Sequence, residues 1–86
     1  MARCIAIVED EAALRDNYAA ALRQQGYEVA EFEQRDLAMN AFETRLPDLV
    51  LLDIGLGADA EAGFEMCREL RTASKSLPLI FLTARD

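Results

Sequence analysis

The sequence contains no histidine and no tryptophan, and its only lysine among 86 residues is Lys75. Without an imidazole, the chain cannot carry a Ser-His-Asp or Cys-His catalytic group, a histidine-ligated zinc site or a phosphohistidine. It has two cysteines, Cys4 and Cys67, which are far apart in sequence and have no CxxC spacing. This pattern predicts two free, buried thiols in a reducing compartment and no disulfide framework.

Long apolar runs and positive charge are also scarce. No apolar run approaches the roughly 20 residues of a membrane span, and the amino terminus reaches acidic residues too soon for a secretory signal. We therefore expect a cytoplasmic protein without membrane contact. The net charge of −7 argues against broad contact with nucleic acid or anionic lipid. DNA binding is accordingly expected only through an effector domain outside this sequence.

What the sequence does contain is a regular alternation of short apolar runs and helical patterns. The apolar runs predict strands at residues 4–8, 27–32, 49–53 and 79–83. Between them, helical spacing predicts helices at residues 12–25, 35–45 and 63–74, and Gly26 can end the first of these. The order β-α-β-α-β-α-β predicts a parallel sheet with helices on both faces, joined by right-handed crossovers.

The apolar spacing within each helix predicts which residues face the core. These are Leu14, Asn17, Tyr18, Ala21 and Leu22 in the first helix, Leu37, Ala38, Ala41 and Phe42 in the second, and Met66, Cys67 and Leu70 in the third.

Oxygen-bearing residues follow three of the predicted strands. Glu9 and Asp10 come after the first strand, Asp53 ends the third and Thr83 ends the fourth. Parallel sheets bind ligands at the carboxyl ends of their strands, so these side chains are expected to share one crevice. Mg²⁺ prefers such oxygen ligands; Asp10 and Asp53 would bind it directly, and Gly55 could add its carbonyl.

Each of these residues also has a purely structural interpretation. Asp10 can be the N-cap of the first helix. Asp53 can be a solvated turn residue, and Thr83 can simply favour a strand. The coincidence of all three strand ends favours a metal site.

The motifs together resemble the receiver domain of two-component response regulators. They are the Glu9-Asp10 pair after an apolar strand, LPDLVLLDIGL around Asp53, and LPLIFLTA with Thr83 and Ala84. The resemblance implies a flavodoxin-like, doubly wound parallel α/β sheet. The four strands present would have the order 2-1-3-4 of the family's 2-1-3-4-5 arrangement.

The resemblance also implies a phosphoryl-transfer site. Asp53 would be the phosphoacceptor for a sensor histidine kinase, and Asp10 a direct Mg²⁺ ligand. Glu9 would act through a water, and Gly55 would lend its backbone carbonyl. Such a domain is a signalling domain and not an enzyme, beyond catalysing its own phosphorylation and dephosphorylation.

The family's switch residues have counterparts here as well. Thr83 would turn its hydroxyl to the phosphoryl group, and the small Ala84 would leave that group accessible. Gly55 and Arg85 occupy positions that tune the lifetime of the acyl phosphate. In many relatives the signal passes to a DNA-binding effector that controls transcription.

Three departures from the family pattern stand out. Gly57 replaces the usual proline after the phosphoacceptor, and Ala62 replaces the usual acid before Gly63, which predicts a looser loop. The family's lysine and switch aromatic are missing, because helix 4, strand 5 and helix 5 lie beyond the end of this sequence. Lys75 precedes the fourth strand and is no substitute. We therefore expect residues 1–86 to be an incomplete receiver domain that self-associates through the exposed edge of its fourth strand.

Two other functions have to be weighed. A phosphohydrolase with an Asp nucleophile carries a second Asp two residues further on, whereas Gly55 follows Asp53 and Ala12 follows Asp10 at that distance. An interaction module that has lost phosphorylation would not need Asp10, Asp53 and Thr83 together. Both are less consistent with the sequence than a phosphoaccepting domain.

Overall fold

A computed structural model of the chain describes residues 3–53 and 60–82, without the side chains of residues 53, 60–64 and 82. Strands and helices alternate along these residues as predicted. The elements are β1 (Cys4–Val8), α1 (Ala12–Gln24), β2 (Glu28–Phe32), α2 (Arg35–Thr44), β3 (Leu49–Asp53), α3 (Ala60–Ala73) and β4 (Leu79–Leu82).

The four strands form one parallel sheet in the order β2-β1-β3-β4. The predicted doubly wound order is therefore confirmed. Val8, the last residue of β1, pairs with Phe32 of β2 on one side and with Leu52 of β3 on the other. On the far side of β3, Asp53 pairs with Leu82 of β4. The carboxyl ends of all four strands consequently lie along one edge of the sheet.

The main core lies between the sheet and the helices α2 and α3. β1 and residues 49–52 of β3 are apolar, as is typical of parallel strands covered by helices on both faces. Phe32 of β2 packs edge-on against Phe42 of α2, with ring centroids 5.7 Å apart. The buried members of this core are Ala6, Val8, Ala38, Phe42, Val50, Leu52, Met66, Leu70 and Leu77.

The buried face of α1 differs from the prediction. Asn17 and Ala21 are exposed, whereas Ala19 is fully buried and Arg15 is half-buried. The alanine side chain lets the helix backbone approach the sheet closely, so the contact face is centred on Ala19 and not on the most apolar stripe. The prediction was therefore wrong for Asn17 and Ala21.

The face of α2 is only partly as predicted. Ala38 and Phe42 are buried, but Leu37 is 49% exposed and Ala41 is also exposed, so the prediction was wrong for these two residues. Met66 and Leu70 of α3 are buried. Helix α3 begins at Ala60, three residues before the predicted start, because the Ala-Glu-Ala segment before Gly63 consists of good helix formers.

Two connections between elements have clear chemical causes. Gly26 has φ +94°, a left-handed conformation that ends α1 and that other residues rarely adopt. At the other end of the chain, the Arg71 guanidinium donates hydrogen bonds to the carbonyls of Ser74, Lys75 and Leu77. These bonds hold the turn between α3 and β4 and so help to position β4 beside β3.

Both cysteines are free, as predicted, but they are half-buried and not fully buried. Burial raises the pKa of the Cys4 thiol above its ordinary value, although the nearby Arg45 guanidinium opposes part of that rise. The thiol is therefore protonated at neutral pH and contributes as an apolar side chain. None of the helices in the described ranges has the length and apolarity of a membrane-spanning segment.

Candidate functional site

The site predicted from the sequence lies at the carboxyl edge of the sheet. Glu9 and Asp53 each follow one member of the Val8–Leu52 pair, so they stand at the same level on the adjacent strands β1 and β3. Asp53 in turn pairs with Leu82, the residue before Thr83. The topology therefore brings the ends of β1, β3 and β4 side by side, as the predicted crevice requires.

Glu9 is the buried acid of this edge, with a relative exposure of 1%. Its backbone N–H donates to the Phe32 carbonyl at 3.0 Å, which ties the end of β1 to the end of β2. Its carboxylate atom Oε2 accepts a hydrogen bond from the Glu11 N–H at 2.9 Å. The carboxylate thus lies beside the first amide groups of α1, where the helix dipole favours negative charge.

Asp10 is exposed, next to the buried Glu9. The N-cap position of α1 belongs to Glu11, and in the described residues no side chain forms a capping hydrogen bond there. The interpretation of Asp10 as the helix cap is therefore not supported. Asp10 is thus exposed at the carboxyl end of β1 and is not engaged as the cap of α1.

The complete ligand set is not visible in the described part of the chain. Among the described side chains, no three Asp, Glu or Cys residues lie close enough together to hold a metal ion. The backbone of Asp53 ends β3, but its side chain is not among the described ones. Four further predicted site residues lie outside the described residues: Gly55, Thr83, Ala84 and Arg85. Their roles, like those of Asp10, Asp53 and Glu9 as ligands, stay predictions.

Sequence reasoning missed Arg15, which contacts this site directly. Its Nη1 donates a hydrogen bond of 2.8 Å to the Glu9 carbonyl, and its Nε lies 3.7 Å from Oε1 of Glu31. The sequence feature that could have revealed it is helical spacing. Arg15 lies one turn before Ala19 and therefore shares its buried face. The charge of the side chain suggested solvent instead.

The chain matches a known family over nearly its whole length. The response regulator receiver domain model matches residues 5–86. The chain belongs to this family of receiver domains. The strand order and the acidic edge of this receiver domain agree with the resemblance noted in its motifs.

The receiver domain is also similar to curated transcriptional regulators. It is 38% identical to the transcriptional regulatory protein CreB of Escherichia coli K12, over 93% of this chain and 34% of the relative. It is 40% identical to the sensory transduction protein RegX3 of Mycolicibacterium smegmatis, over 95% of this chain and 35% of the relative. The chain thus spans about one third of the length of these relatives.

Solved structures of response regulators have the same fold. The response regulator TrrA of Thermotoga maritima, in complex with Mg²⁺-BeF, matches with a TM-score of 0.84 and 32% identity over 98% of this chain and 71% of its own. The non-phosphorylated receiver domain of HemR from Leptospira biflexa matches with a TM-score of 0.83 and 31% identity, over 96% of this chain and 65% of its own. These matches agree with the flavodoxin-like fold predicted above.

Proposed function

We propose that this receiver domain accepts a phosphoryl group on Asp53 as part of a two-component system. The observation that carries the proposal is the Val8–Leu52 pairing. The buried Glu9 follows Val8 at the end of β1, and Asp53 follows Leu52 on the adjacent strand β3. Ligands of parallel α/β sheets bind at this edge. Acidic residues at two neighbouring strand ends favour a site for a cation and a phosphoryl group.

Mg²⁺ is the cofactor that fits the donors at this edge. The exposed Asp10 carboxylate stands next to the buried Glu9, and every predicted ligand atom is a hard oxygen, as Mg²⁺ requires. Asp10 and Asp53 would bind the ion directly, Glu9 through a water, and Gly55 through its carbonyl. When bound, the ion would neutralise charge near Asp53. The Mg²⁺-BeF complex of the similar TrrA supports this choice.

The transfer step needs one nucleophile, and we assign it to Asp53. A carboxylate oxygen of Asp53 forms a bond to phosphorus while the bond from phosphorus to the imidazole nitrogen of the kinase's phosphohistidine breaks. The protein contributes this oxygen and the positioning of the reactants. The product is an acyl phosphate that adds about −1.5 to −2 charges at neutral pH.

The response to this new charge is assigned to the residues after β4. Thr83 would donate its hydroxyl to a phosphoryl oxygen, and Ala84 would leave room for that group. Gly55 and Arg85 would influence how fast the acyl phosphate hydrolyses. The switch is a shift between two packings of the domain, biased by the bonds that form only after phosphorylation.

The output is proposed to be transcription control in the cytoplasm. CreB is named as a transcriptional regulatory protein, and this chain matches only a third of its length. The remaining two thirds of such a protein can hold the DNA-binding effector. A net charge of −7 is consistent with a domain that does not itself bind DNA.

Intact-mass spectrometry tests the proposed function. After incubation with acetyl phosphate and Mg²⁺, the chain is expected to gain one phosphate, and chelation of the metal with EDTA is expected to prevent that gain. The phosphate should map to the peptide that contains Asp53 and should be released by hydroxylamine, which cleaves acyl phosphates. Uptake that is insensitive to EDTA, or a phosphate on another peptide, contradicts the proposal.

We also propose that the 86-residue chain self-associates through β4. Ile80 is 46% exposed and Phe81 is 37% exposed, and among the described strands β4 pairs only with β3. Pairing of two β4 edges from two copies would join the backbone groups of that edge and bring strand neighbours beside both side chains on the two faces of the sheet. Sedimentation at rising concentration is expected to give a dimer, and Phe81→Lys is expected to shift it toward the monomer. A monomer at all concentrations contradicts this proposal.

A further inference from the structure

Arg15 joins the helix α1 to the acidic end of β1. Its Nη1 donates to the Glu9 carbonyl at 2.8 Å, and its own N–H bonds the Glu11 carbonyl at 3.0 Å. The Arg15 side chain is only 17% exposed. A hydrogen bond from a charged donor at such a position is stronger than one between neutral groups. The contact therefore acts as a defined link and not as a loose surface pair.

Glu31 of β2 holds this arginine from the other side. Its Oε1 lies 3.7 Å from Nε of Arg15, and its Oε2 lies 3.1 Å from Nη1 of Arg23. Arg23 also donates from Nη2 to the Val29 carbonyl at 3.1 Å, but its side chain is 51% exposed. Glu31 thus bridges two guanidinium groups from the same helix, and only that of Arg15 reaches the acidic edge.

The hydrogen bond from Arg15 to the Glu9 carbonyl also bears on the next residue, Asp10. The Glu9 carbonyl belongs to the peptide plane that also carries the Asp10 nitrogen. That plane is fixed by Arg15, while the preceding plane is fixed by the bond from the Glu9 N–H to the Phe32 carbonyl. Together the two bonds set the direction in which the chain leaves β1, and hence where the Asp10 carboxylate stands.

We propose that Arg15 is a positioning residue that sets the geometry of the Glu9-Asp10 pair for Mg²⁺ binding. The proposal rests on the proposed function for its metal, but the ordering of the β1–α1 turn by Arg15 does not depend on it. Removing a residue that hydrogen-bonds a metal-binding group commonly weakens metal affinity by about 10–100-fold. Arg15 would act in this way through the backbone of Glu9.

If Arg15 acted only through its charge, its removal would have the opposite effect on Mg²⁺ affinity. A guanidinium near the acids repels an incoming cation, so its removal alone would tighten Mg²⁺ binding. Arg15→Gln removes both the positive charge and the planar guanidinium group. Arg15→Lys keeps the charge, but an ammonium group cannot contact the Glu9 carbonyl and Glu31 at once as the planar guanidinium does. Positioning predicts weaker binding in both variants, while a charge effect predicts tighter binding in Arg15→Gln alone.

Two measurements on the full chain test the proposal. Calorimetric titration with Mg²⁺ is expected to give a Kd raised roughly tenfold in Arg15→Lys and in Arg15→Gln. In the metal-free chain, exchange of the Glu9 and Glu11 amide protons is expected to accelerate about tenfold relative to that of Ile7 in the middle of β1. Arg23→Gln is the matched control, because it removes the other partner of Glu31 and should change neither quantity.

Each alternative outcome has a distinct meaning. Tighter Mg²⁺ binding in Arg15→Gln with unchanged amide exchange overturns the positioning role in favour of charge alone. Equal acceleration at Ile7, Glu9 and Glu11 overturns it in favour of a general loss of stability. If the parent chain binds no Mg²⁺, the proposed function fails, while faster local exchange at Glu9 and Glu11 still supports the ordering role of Arg15.

Discussion

Replacing Asp53 with asparagine is expected to lower phosphate uptake from acetyl phosphate by roughly a hundredfold or more, which is a complete loss in a mass spectrum. The amide is almost isosteric with the carboxylate but lacks the anionic oxygen that bonds to phosphorus. Asp53 ends β3 through backbone pairing with Leu82, and this pairing does not depend on its side chain. The variant should therefore keep the fold while losing the reaction.

Asp48→Asn is the matched control for this substitution. Asp48 precedes the same strand at its opposite end, where its Oδ2 accepts a hydrogen bond from the Cys4 N–H at 2.7 Å. An asparagine oxygen can accept the same bond, and the change in net charge is the same as in Asp53→Asn. Asp48→Asn should take up phosphate like the parent chain. Equal loss in the two variants, or uptake retained by Asp53→Asn, would contradict Asp53 as the phosphoacceptor.

The strands were predictable because their signal is local. In β1 and β3 apolar runs are bounded by charged residues or proline, and the structure places both strands at the predicted residues. β2 is one residue shorter than predicted, because the Tyr27 N–H donates to the Leu22 carbonyl of α1 at 3.3 Å and so belongs to the helix end. The alternation of strands and helices along the chain then predicts a parallel sheet.

The helix faces were less predictable, because apolar spacing does not reveal which side approaches a sheet most closely. A small residue such as Ala19 adds little to an apolar stripe, yet it permits the tightest packing in α1. Because the buried face of α1 is centred on Ala19, Arg15, which lies one turn earlier on that face, is also turned inward. Leu37 illustrates the converse, because an apolar residue at helical spacing is half-exposed on α2.

The candidate site could be predicted as a set of strand ends but not as a set of contacts. Parallel pairing alone places Glu9 and Asp53 at one edge of the sheet. The Glu9 carboxylate accepts a hydrogen bond from the Glu11 N–H. That contact depends on the conformation of the short connection between β1 and α1, which no periodic pattern in the sequence predicts. The hydrogen bond from Arg15 depends on the same backbone and was missed for the same reason.

Leu52→Ala is expected to destabilise the domain by about 3 kcal/mol, the middle of the range for a buried leucine. Leu52 is 1% exposed and pairs with Val8 on one side and Phe81 on the other, directly before Asp53. Truncation leaves a cavity between the sheet and the α2–α3 layer that neighbouring strands cannot close without shifting. Because small domains are stable by only about 5–15 kcal/mol, the urea midpoint measured by far-UV circular dichroism should fall clearly.

Leu37→Ala removes the same atoms from a site that is 49% exposed on α2. It should change the free energy of unfolding by no more than about 0.5 kcal/mol, because little apolar surface returns to water and alanine favours the helix. The difference between the two variants isolates the packing of β3, on which the position of Asp53 depends. Equal losses of stability would mean that the region around Leu52 relaxes freely, and that the acidic edge is not held by a rigid core.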